Sequence, residues 1–339
     1  VIGVVRAVNG TYTLVPSPIP DVRVRAPRVT NAGRDAWHVI FVTGALSTPS
    51  NALMFDTATI WYGHFEKSTW TRIERVATVR SGSLLLGSSS SLINLRGEVA
   101  FAYAFERPFS TDQSTQVHSG VVLLRGGHGA PWRTDTLQTW EAPRTVELVA
   151  SEDSASLLAV VAQSTFRERR RWPPSLFLAQ FDGAWHQPVE VVSQSPRYIS
   201  GLAAQRAGRR LFVTWRSGLP GEQLERLEWG TLDGADQVHH RGSIASLIDI
   251  DRPVIVPLGD RTILWGVREG TSRSAMHFFV ARDTAVMDVG VIKVPLQNFV
   301  TPSAQLAGGL IALATGAIDP AGTVSPASIV SLVQLKCGP

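Results

Sequence analysis

The sequence predicts an all-β fold in which the whole chain of 339 residues forms a β-propeller of six blades. Three observations favour this architecture. An apolar strand recurs six times, at intervals of about 50 to 60 residues, which is near the length of a propeller blade. Each copy follows a tight turn, and no segment shows the i, i+3, i+4 apolar spacing and the caps of an amphipathic helix.

The recurring strand is apolar and rich in β-branched and aromatic residues, as expected of the central strand of a blade. Its six copies lie at residues 37–42, 99–105, 157–161, 211–215, 263–267 and 310–314. The turn before each copy contains residues that suit the positive φ of a tight hairpin. Those residues are Gly33, Gly97, the pair Asp153 and Ser154, Gly208, the pair Gly259 and Asp260, and the pair Gly308 and Gly309.

A second hairpin follows each central strand, which gives a unit the four strands of a blade. The first three units show it most clearly, with strands at 60–65 and 70–76, at 120–125 and 132–137, and at 176–181 and 185–192. The next two units are less regular, with strands at 224–231 and 238–244, and at 276–281 and 289–294.

The two ends of the chain are expected to share one blade. The sixth unit ends with a strand at 329–335 and has no fourth strand, while the N-terminal part carries an extra strand at 11–15. Pairing of these strands would close the propeller and remove sheet edges that promote aggregation. We therefore expect a single domain over residues 1–339.

Composition favours an exported globular protein. The hydrophobic fraction of 44% is enough for a large core, and no run approaches the roughly 20 apolar residues of a membrane-spanning helix. Cys337 is the one cysteine, which excludes a disulfide within the chain and a cysteine metal site. The first residue is Val1, as in a mature protein that has lost a signal peptide. We expect a periplasmic or secreted location.

Three hairpins contain parts of a turn motif. Their sequences are Glu-Lys-Ser-Thr-Trp at 66–70, Gly-Gly-His-Gly-Ala-Pro-Trp at 126–132 and Phe-Asp-Gly-Ala-Trp at 181–185. They resemble the Asp-box turn, Ser-x-Asp-x-Gly-x-x-Trp, of the six-bladed sialidase-like propellers. No copy is complete, and the last one keeps Asp182, Gly183 and Trp185. The resemblance implies a sialidase-like propeller whose tryptophans pack between blades.

The hydrolytic members of that family use an arginine triad, a Tyr-Glu nucleophile pair and an aspartate acid/base. Tyr12, Tyr62, Tyr103 and Tyr198 are the tyrosines here, and none lies beside a glutamate at the end of a predicted inner strand. The inner-strand segments 88–93, 201–204 and 303–306 carry small or apolar side chains. We therefore predict that the chain is not an enzyme, and keep carbohydrate binding or sialidase-like glycoside hydrolysis as the alternative.

Other polar groups give little sign of a cofactor or metal site. His239 and His240 are adjacent on a strand, so they point to opposite faces and do not share one ion easily. Asp249 and Asp251 share a face, but neighbouring arginines favour salt bridges over calcium. The glycines of 126–129 belong to a hairpin and not to a phosphate-binding strand–helix turn. We expect no cofactor and no metal.

The predicted partner surface lies on the loops between second and third strands, which emerge on one rim of a propeller. The loop at 164–175 places four arginines between two aromatic residues and ends in a diproline, and a second loop adds aromatic and basic residues. Arginine and aromatic side chains are enriched where protein interfaces gain most binding energy. The predicted partner-binding residues are Phe105, Arg107, Phe109, Phe166, Arg167, Arg169, Arg170, Arg171 and Trp172.

These features predict a noncatalytic extracytoplasmic scaffold or accessory subunit that docks through the loop rim onto another protein. A membrane complex of photosynthesis or electron transfer is one candidate partner, and a photosynthetic reaction-centre assembly is the specific example considered. The net charge of +4 favours an acidic partner surface. Nucleic acid is not expected, because acidic residues are interspersed with the basic ones and the protein is expected to be exported.

Overall fold

The computed structural model shows an all-β chain, which confirms the predicted fold class. It describes residues 3–8, 11–16, 18–19, 24–33, 35–46, 55–95, 98–106, 119–139, 145–150, 155–161, 175–193, 197–207, 210–219, 224–232, 239–248, 253–259, 262–268, 275–293, 303–307, 310–317 and 329–335. Every regular element in these ranges is a strand, so they contain no helix with the length and apolar character needed to cross a membrane. The chain divides into two compact units, residues 1–157 with 180–186 and residues 158–179 with 187–339.

A hairpin and a long meander open the chain. The hairpin consists of β1 (Gly3–Val8) and β2 (Thr11–Pro16). Seven antiparallel strands follow in sequence order: β3 (Val24–Gly33), β4 (Ala36–Leu46), β5 (Phe55–Glu66), β6 (Thr69–Leu95), β7 (Glu98–Glu106), β8 (Ser119–Gly127) and β9 (Ala130–Thr139). The first part of β6, residues 69–82, pairs with β5, and the second part, residues 83–95, pairs with β7. The seven strands thus form two four-stranded meanders that share β6.

The later strands form separate antiparallel sheets, each again in sequence order. One contains β10 (Thr145–Ala150), β11 (Ala155–Val161), β12 (Ser175–Phe181) and β13 (Val189–Ser193). The next contains β14 (Tyr198–Ala207), β15 (Arg210–Gly218), β16 (Leu224–Leu232) and β17 (His239–Ile248). A third contains β18 (Val254–Pro257), β19 (Thr262–Arg268), β20 (Ala275–Arg282) and β21 (Ala285–Lys293). The last contains β22 (Ser303–Ala307), β23 (Leu310–Ala317) and β24 (Ile329–Leu335).

All six predicted central strands are strands in the structure. They are β4, β7, β11, β15, β19 and β23, and each is the second strand of its meander. Gly33 lies in the turn before β4 with a φ of 138°, which is the positive backbone angle that the sequence predicts there. Gly259 lies in the bend before β19. The other predicted turn residues lie outside the described residues: Gly97, Asp153, Ser154, Gly208, Asp260, Gly308 and Gly309.

Several predicted strand boundaries are wrong, and two of the differences have a local reason. The strand expected from residue 185 begins at Val189, because Pro188 has no N–H for the ladder and Trp185 forms one isolated bridge to Phe181. The strand expected from residue 289 already begins at Ala285. A short turn with Asp283 at a φ of 52° lets β20 continue directly into β21.

Closure of the propeller stays a prediction. The expected N-terminal strand at 11–15 lies within β2, whose described partner is β1, and the described partner of β24 is β23. The count of six blades and the single domain over residues 1–339 therefore also remain predictions.

Apolar side chains from neighbouring meanders pack together within each unit. In the first unit, one core cluster joins Ile40 of β4 and Ile60 of β5 to Phe101 of β7 and Leu124 of β8. In the second unit, another joins β15 and β16 to β18, β19 and β20, with Phe212, Trp229, Ile255, Ile263 and Phe279 among its members. Burial of such large side chains is the main favourable contribution to the folding free energy.

Candidate metal centre

Three histidines from three separate elements meet in the first unit. His38 lies near the start of β4 and His64 near the end of β5, where the two residues are directly opposite each other in the antiparallel register. His128 lies in the turn between β8 and β9. Each side chain offers one ring nitrogen, and these three atoms all lie within 4.8 Å of one another.

The β8–β9 turn brings His128 to the other two rings. Gly127, His128 and Gly129 have φ values of 86°, 49° and 93°, a run of positive angles that glycine adopts without steric cost. A Cβ atom added at Gly127 would lie 3.3 Å from both Cζ and Oη of Tyr62. The glycine therefore lets the turn approach Tyr62 closely and places His128 over β4 and β5.

Hydrogen bonds at Nδ1 hold two of the three rings, those of His38 and His64. His38 Nδ1 lies 2.9 Å from Tyr62 Oη, and its Nε2 lies 3.1 Å from His128 Nε2. His64 Nδ1 lies 2.8 Å from Thr71 Oγ1, and the Thr71 hydroxyl donates to the His64 carbonyl oxygen at 3.3 Å. With the Thr71 hydroxyl donating to this carbonyl oxygen, its own oxygen accepts from His64 Nδ1–H, and this tautomer leaves a lone pair on His64 Nε2. This Nε2 is buried and has no hydrogen-bond partner.

The surroundings keep these groups neutral. Burial, with smaller contributions from the nearby His128 and His64, lowers the pKa of His38 to about 4. Burial also lowers the pKa of His64, with His128 adding to the effect. Burial raises the pKa of Tyr62 to about 12. At neutral pH the two histidines are therefore neutral, and each has one ring nitrogen without a proton, which is the form of imidazole that binds metal ions.

The geometry approaches that of a tetrahedral metal site. With zinc–nitrogen bonds of about 2.0–2.1 Å, the edge between two ligand nitrogens is about 3.3 Å. The observed 3.1 Å between His38 Nε2 and His128 Nε2 is close to that edge, whereas the limit of 4.8 Å for the whole cluster is wider. The cluster would contract by about an ångström around an ion, a movement that rotation of exposed His128 and half-buried His64 can supply.

The predicted partner-binding residues are mostly outside the part of the chain that the structure describes. Phe105 is described, and its partly buried ring packs against the first core cluster. The others lie outside the described residues: Arg107, Phe109, Phe166, Arg167, Arg169, Arg170, Arg171 and Trp172. The docking surface at the loop rim therefore stays a prediction.

Among the described residues, the three-histidine cluster includes none of the other sequence candidates. His239 is exposed at the start of β17, and the backbone of His240 pairs with Gly230. Asp249 and Asp251 lie outside the described residues. The segment 126–129 is a hairpin turn, as the sequence predicts, and it carries a residue that sequence reasoning did not select as a ligand.

Sequence reasoning missed the site because its residues are far apart along the chain. The strands that carry His38 and His64 were both predictable, but the register that places them opposite each other was not. His128 is 90 residues from His38 and arrives through packing of one meander on the next. A histidine between two glycines in a turn was the one local signal.

Glutamates that are half-buried or buried lie on strands outside the three inner-strand segments named from the sequence. Glu147 of β10 accepts a hydrogen bond from Ser91 of β6 at 3.3 Å. In the second unit, Glu225 pairs with Arg216 at 3.4 Å, and Glu228 accepts from Ser217 at 3.0 Å. Tyr62, which contacts the histidine cluster, is hydrogen-bonded to His38 at 2.9 Å.

Several solved structures are similar in fold to this chain. A protein of unknown function from Dyadobacter fermentans is 12% identical, with a TM-score of 0.59 over 92% of this chain and 93% of that one. The GH93 α-L-arabinofuranosidase of Fusarium graminearum is 11% identical, with a TM-score of 0.58 over 94% and 95% of the two chains. The chain folds as a sialidase-like β-propeller. Trypanosoma rangeli sialidase is 10% identical with a TM-score of 0.55, and the match covers 96% of this chain and 56% of the sialidase.

These likenesses establish the fold and leave the activity open, because identities of 10–12% are too low to carry function. No protein-family model matches the chain, and no curated protein matches it in sequence. The sialidase-like fold that the eroded turn motifs imply is thus confirmed by structure, and the function has to be argued from the site.

Proposed function

We propose that this β-propeller binds one divalent transition-metal ion through His38, His64 and His128. The observation that carries the proposal is the convergence of three imidazole nitrogens within 4.8 Å, together with the buried Nε2 of His64, which has no hydrogen-bond partner. This chain would accordingly be a metalloprotein, which the sequence alone did not predict.

A metal ion accounts for the unpartnered His64 nitrogen better than a hydrogen-bonded cluster does. A buried acceptor without a donor costs about 1–3 kcal/mol. His38 and His128 can satisfy each other with a single proton at 3.1 Å, but that proton leaves His64 Nε2 unsatisfied. A cation at the centre would use all three lone pairs at once.

The Nδ1 atoms of His38 and His64 already have the hydrogen bonds that are usual for metal-binding histidines. A ligand histidine usually donates its second N–H to an oxygen, which fixes the tautomer and the orientation of the ring. Thr71 provides that oxygen for His64, and Tyr62 provides it for His38. Tyr62 also receives a hydrogen bond from the backbone N–H of His128, so its oxygen links two of the three ligands.

The donor set selects a class of ion. Neutral imidazoles suit zinc, copper, nickel and iron, whereas magnesium and calcium prefer oxygen ligands. We take Zn²⁺ as the reference ion because it has no geometric preference of its own and accepts a distorted nitrogen site.

Calorimetric titration with Zn²⁺ tests the proposal. We expect one equivalent to bind to the wild-type protein, and affinity to fall by at least about 100-fold in His64→Ala and in His128→Asn, since each loses a ligand. Asparagine is chosen at residue 128 because it tolerates the positive φ there. His186→Ala removes an exposed histidine outside the cluster and is the matched control. The proposal is wrong if wild type binds no zinc, or if the two cluster variants bind as tightly as the control.

Protein docking is a second proposal, carried by a different observation. Met287, Val289 and Val291 alternate along β21 and are 62%, 52% and 56% exposed. They lie on a strand that is last in its sheet, on both sides of a β-bulge at Val289, and exposed apolar side chains at a sheet edge are typical of interfaces. We propose that an extracytoplasmic subunit of a membrane complex, such as one of photosynthesis or electron transfer, covers these three residues together with the predicted loop rim.

Purification from the source cells in mild detergent, followed by mass spectrometry, tests docking. Reproducible membrane subunits that are lost when the three β21 residues are changed to serine would support it, and a free monomer would contradict it. Carbohydrate binding or glycoside hydrolysis, the alternative to a noncatalytic role, is supported by fold likeness alone. Turnover of an aryl sialoside or α-L-arabinofuranoside would favour it instead.

A further inference from the structure

We infer that the ion at the three-histidine site keeps one coordination position for an exchangeable small ligand, and that the site binds monodentate anions there. This inference rests on the proposed metal binding. It goes further, because an ion could equally be enclosed by four protein ligands and serve only to link strands.

The two oxygens nearest the cluster are in the wrong place to be the fourth ligand. Tyr62 Oη is hydrogen-bonded to Nδ1 of His38, and Thr71 Oγ1 is hydrogen-bonded to Nδ1 of His64. The two nitrogens of an imidazole point in divergent directions, so an ion at the Nε2 atoms lies on the far side of each ring from these oxygens. Tyr62 and Thr71 therefore orient ligands and do not coordinate the ion.

The neighbouring carboxylates are engaged elsewhere. Glu74 accepts hydrogen bonds from Trp132 Nε1 at 2.8 Å and from Arg72 at 2.6 Å. Glu66 pairs with Lys67 at 3.5 Å. Among the described residues, the cluster of metal-binding side chains contains the three histidines and no aspartate, glutamate or cysteine.

Solvent reaches the cluster from the side of His128. His38 is fully buried and His64 half-buried, whereas His128 is exposed on its turn. A Zn²⁺ ion prefers four ligands, and three protein ligands with solvent in the fourth position distinguish open sites from closed structural ones. The ion would therefore hold a water molecule that faces outward.

Charge determines what can replace that water. Three neutral imidazoles leave the double positive charge on the ion, and no carboxylate among the described residues is a ligand in the cluster, where Glu66 acts on His64 only through space. Small monodentate anions such as azide, hydroxide or a carboxylate should therefore displace the water and bind directly to the metal.

Cobalt substitution followed by azide titration tests the inference. Protein loaded with Co²⁺ should show the visible absorption of a low-symmetry nitrogen site, and azide should shift those bands saturably, with one azide bound per cobalt. Cobalt-loaded His186→Ala should respond like wild type, while His128→Asn should give no such spectrum at the same cobalt concentration.

The possible results distinguish the open coordination position from metal binding itself. Visible bands that stay unchanged at saturating azide would show a closed site and overturn the inference, while the proposed metal binding would stand. Absence of a cobalt spectrum in wild type, together with no zinc uptake by calorimetry, would overturn both.

Discussion

The Thr71 side chain determines which nitrogen of His64 carries its proton. When its hydroxyl donates to the His64 carbonyl oxygen and accepts from His64 Nδ1–H, the buried Nε2 of His64 is left as an acceptor. The Thr71 hydroxyl on β6 thereby sets the tautomer of the proposed ligand His64 on β5. Such a role could not be inferred from the sequence, because a threonine in a strand is ordinary and the cross-strand register decides what it contacts.

Thr71→Val should weaken zinc binding while keeping the shape of the side chain. Without the hydroxyl, His64 loses the group that fixes its tautomer, and loss of such outer contacts typically lowers metal affinity by about 10–100-fold. Competition titration against a zinc chelator measures the change. Thr69→Val is the matched control, since Thr69 donates to the Glu66 carbonyl oxygen in the same hairpin and does not contact a histidine. Equal affinities in the two variants would contradict this role.

At the scale of elements, the strands were largely predictable and the contacts between them were not. Apolar β-branched runs and turn residues are local signals, and they located all six central strands. Pro188 and Asp283 altered two boundaries through effects of single residues on the ladder. The β8–β9 turn was predicted as a hairpin, but its position over β4 and β5 depends on packing between meanders.

Gly127→Ala should destabilise this turn more than Gly129→Ala does. Both residues have positive φ, so alanine costs about 1–2 kcal/mol at either position. The added Cβ at Gly127 also meets the Tyr62 ring at 3.3 Å, whereas at Gly129 it meets nothing within 4 Å. Urea unfolding of the two variants measures the effect of this contact together with that of the Val99 side chain at 3.4 Å. We expect a larger loss of unfolding free energy, and a larger loss of zinc affinity, in Gly127→Ala, and equal losses would argue against close contact at this turn.

At the scale of the whole molecule, burial links single side chains to the pH range in which the protein is stable. Tyr103 is buried in the first core cluster, and burial raises its pKa to about 12 from the ordinary value of 10. Below pH 10 the phenol is protonated in both the folded and the unfolded chain. Between pH 10 and 12 the unfolded chain gains free energy by losing a proton that the folded chain retains.

The wild-type protein should therefore lose about 2–3 kcal/mol of unfolding free energy over this pH range through Tyr103 alone. Tyr103→Phe has no proton to lose there, so its stability should decline less steeply than that of wild type. Chemical denaturation at several pH values up to 12 measures both curves, and Tyr62 contributes equally to each. Parallel curves would mean that the Tyr103 phenol ionises as readily in the folded protein as in the unfolded chain.

The continuous strand β6 has a consequence for how this chain can change in evolution. Its 27 residues pass from the edge of one four-stranded meander into the first strand of the next, so no loop separates the two. Loops are the places where chains accept insertions, new domains and new termini without losing their fold. Relatives of this protein should therefore vary in length elsewhere, and the two meanders around the three histidines should be inherited as one block.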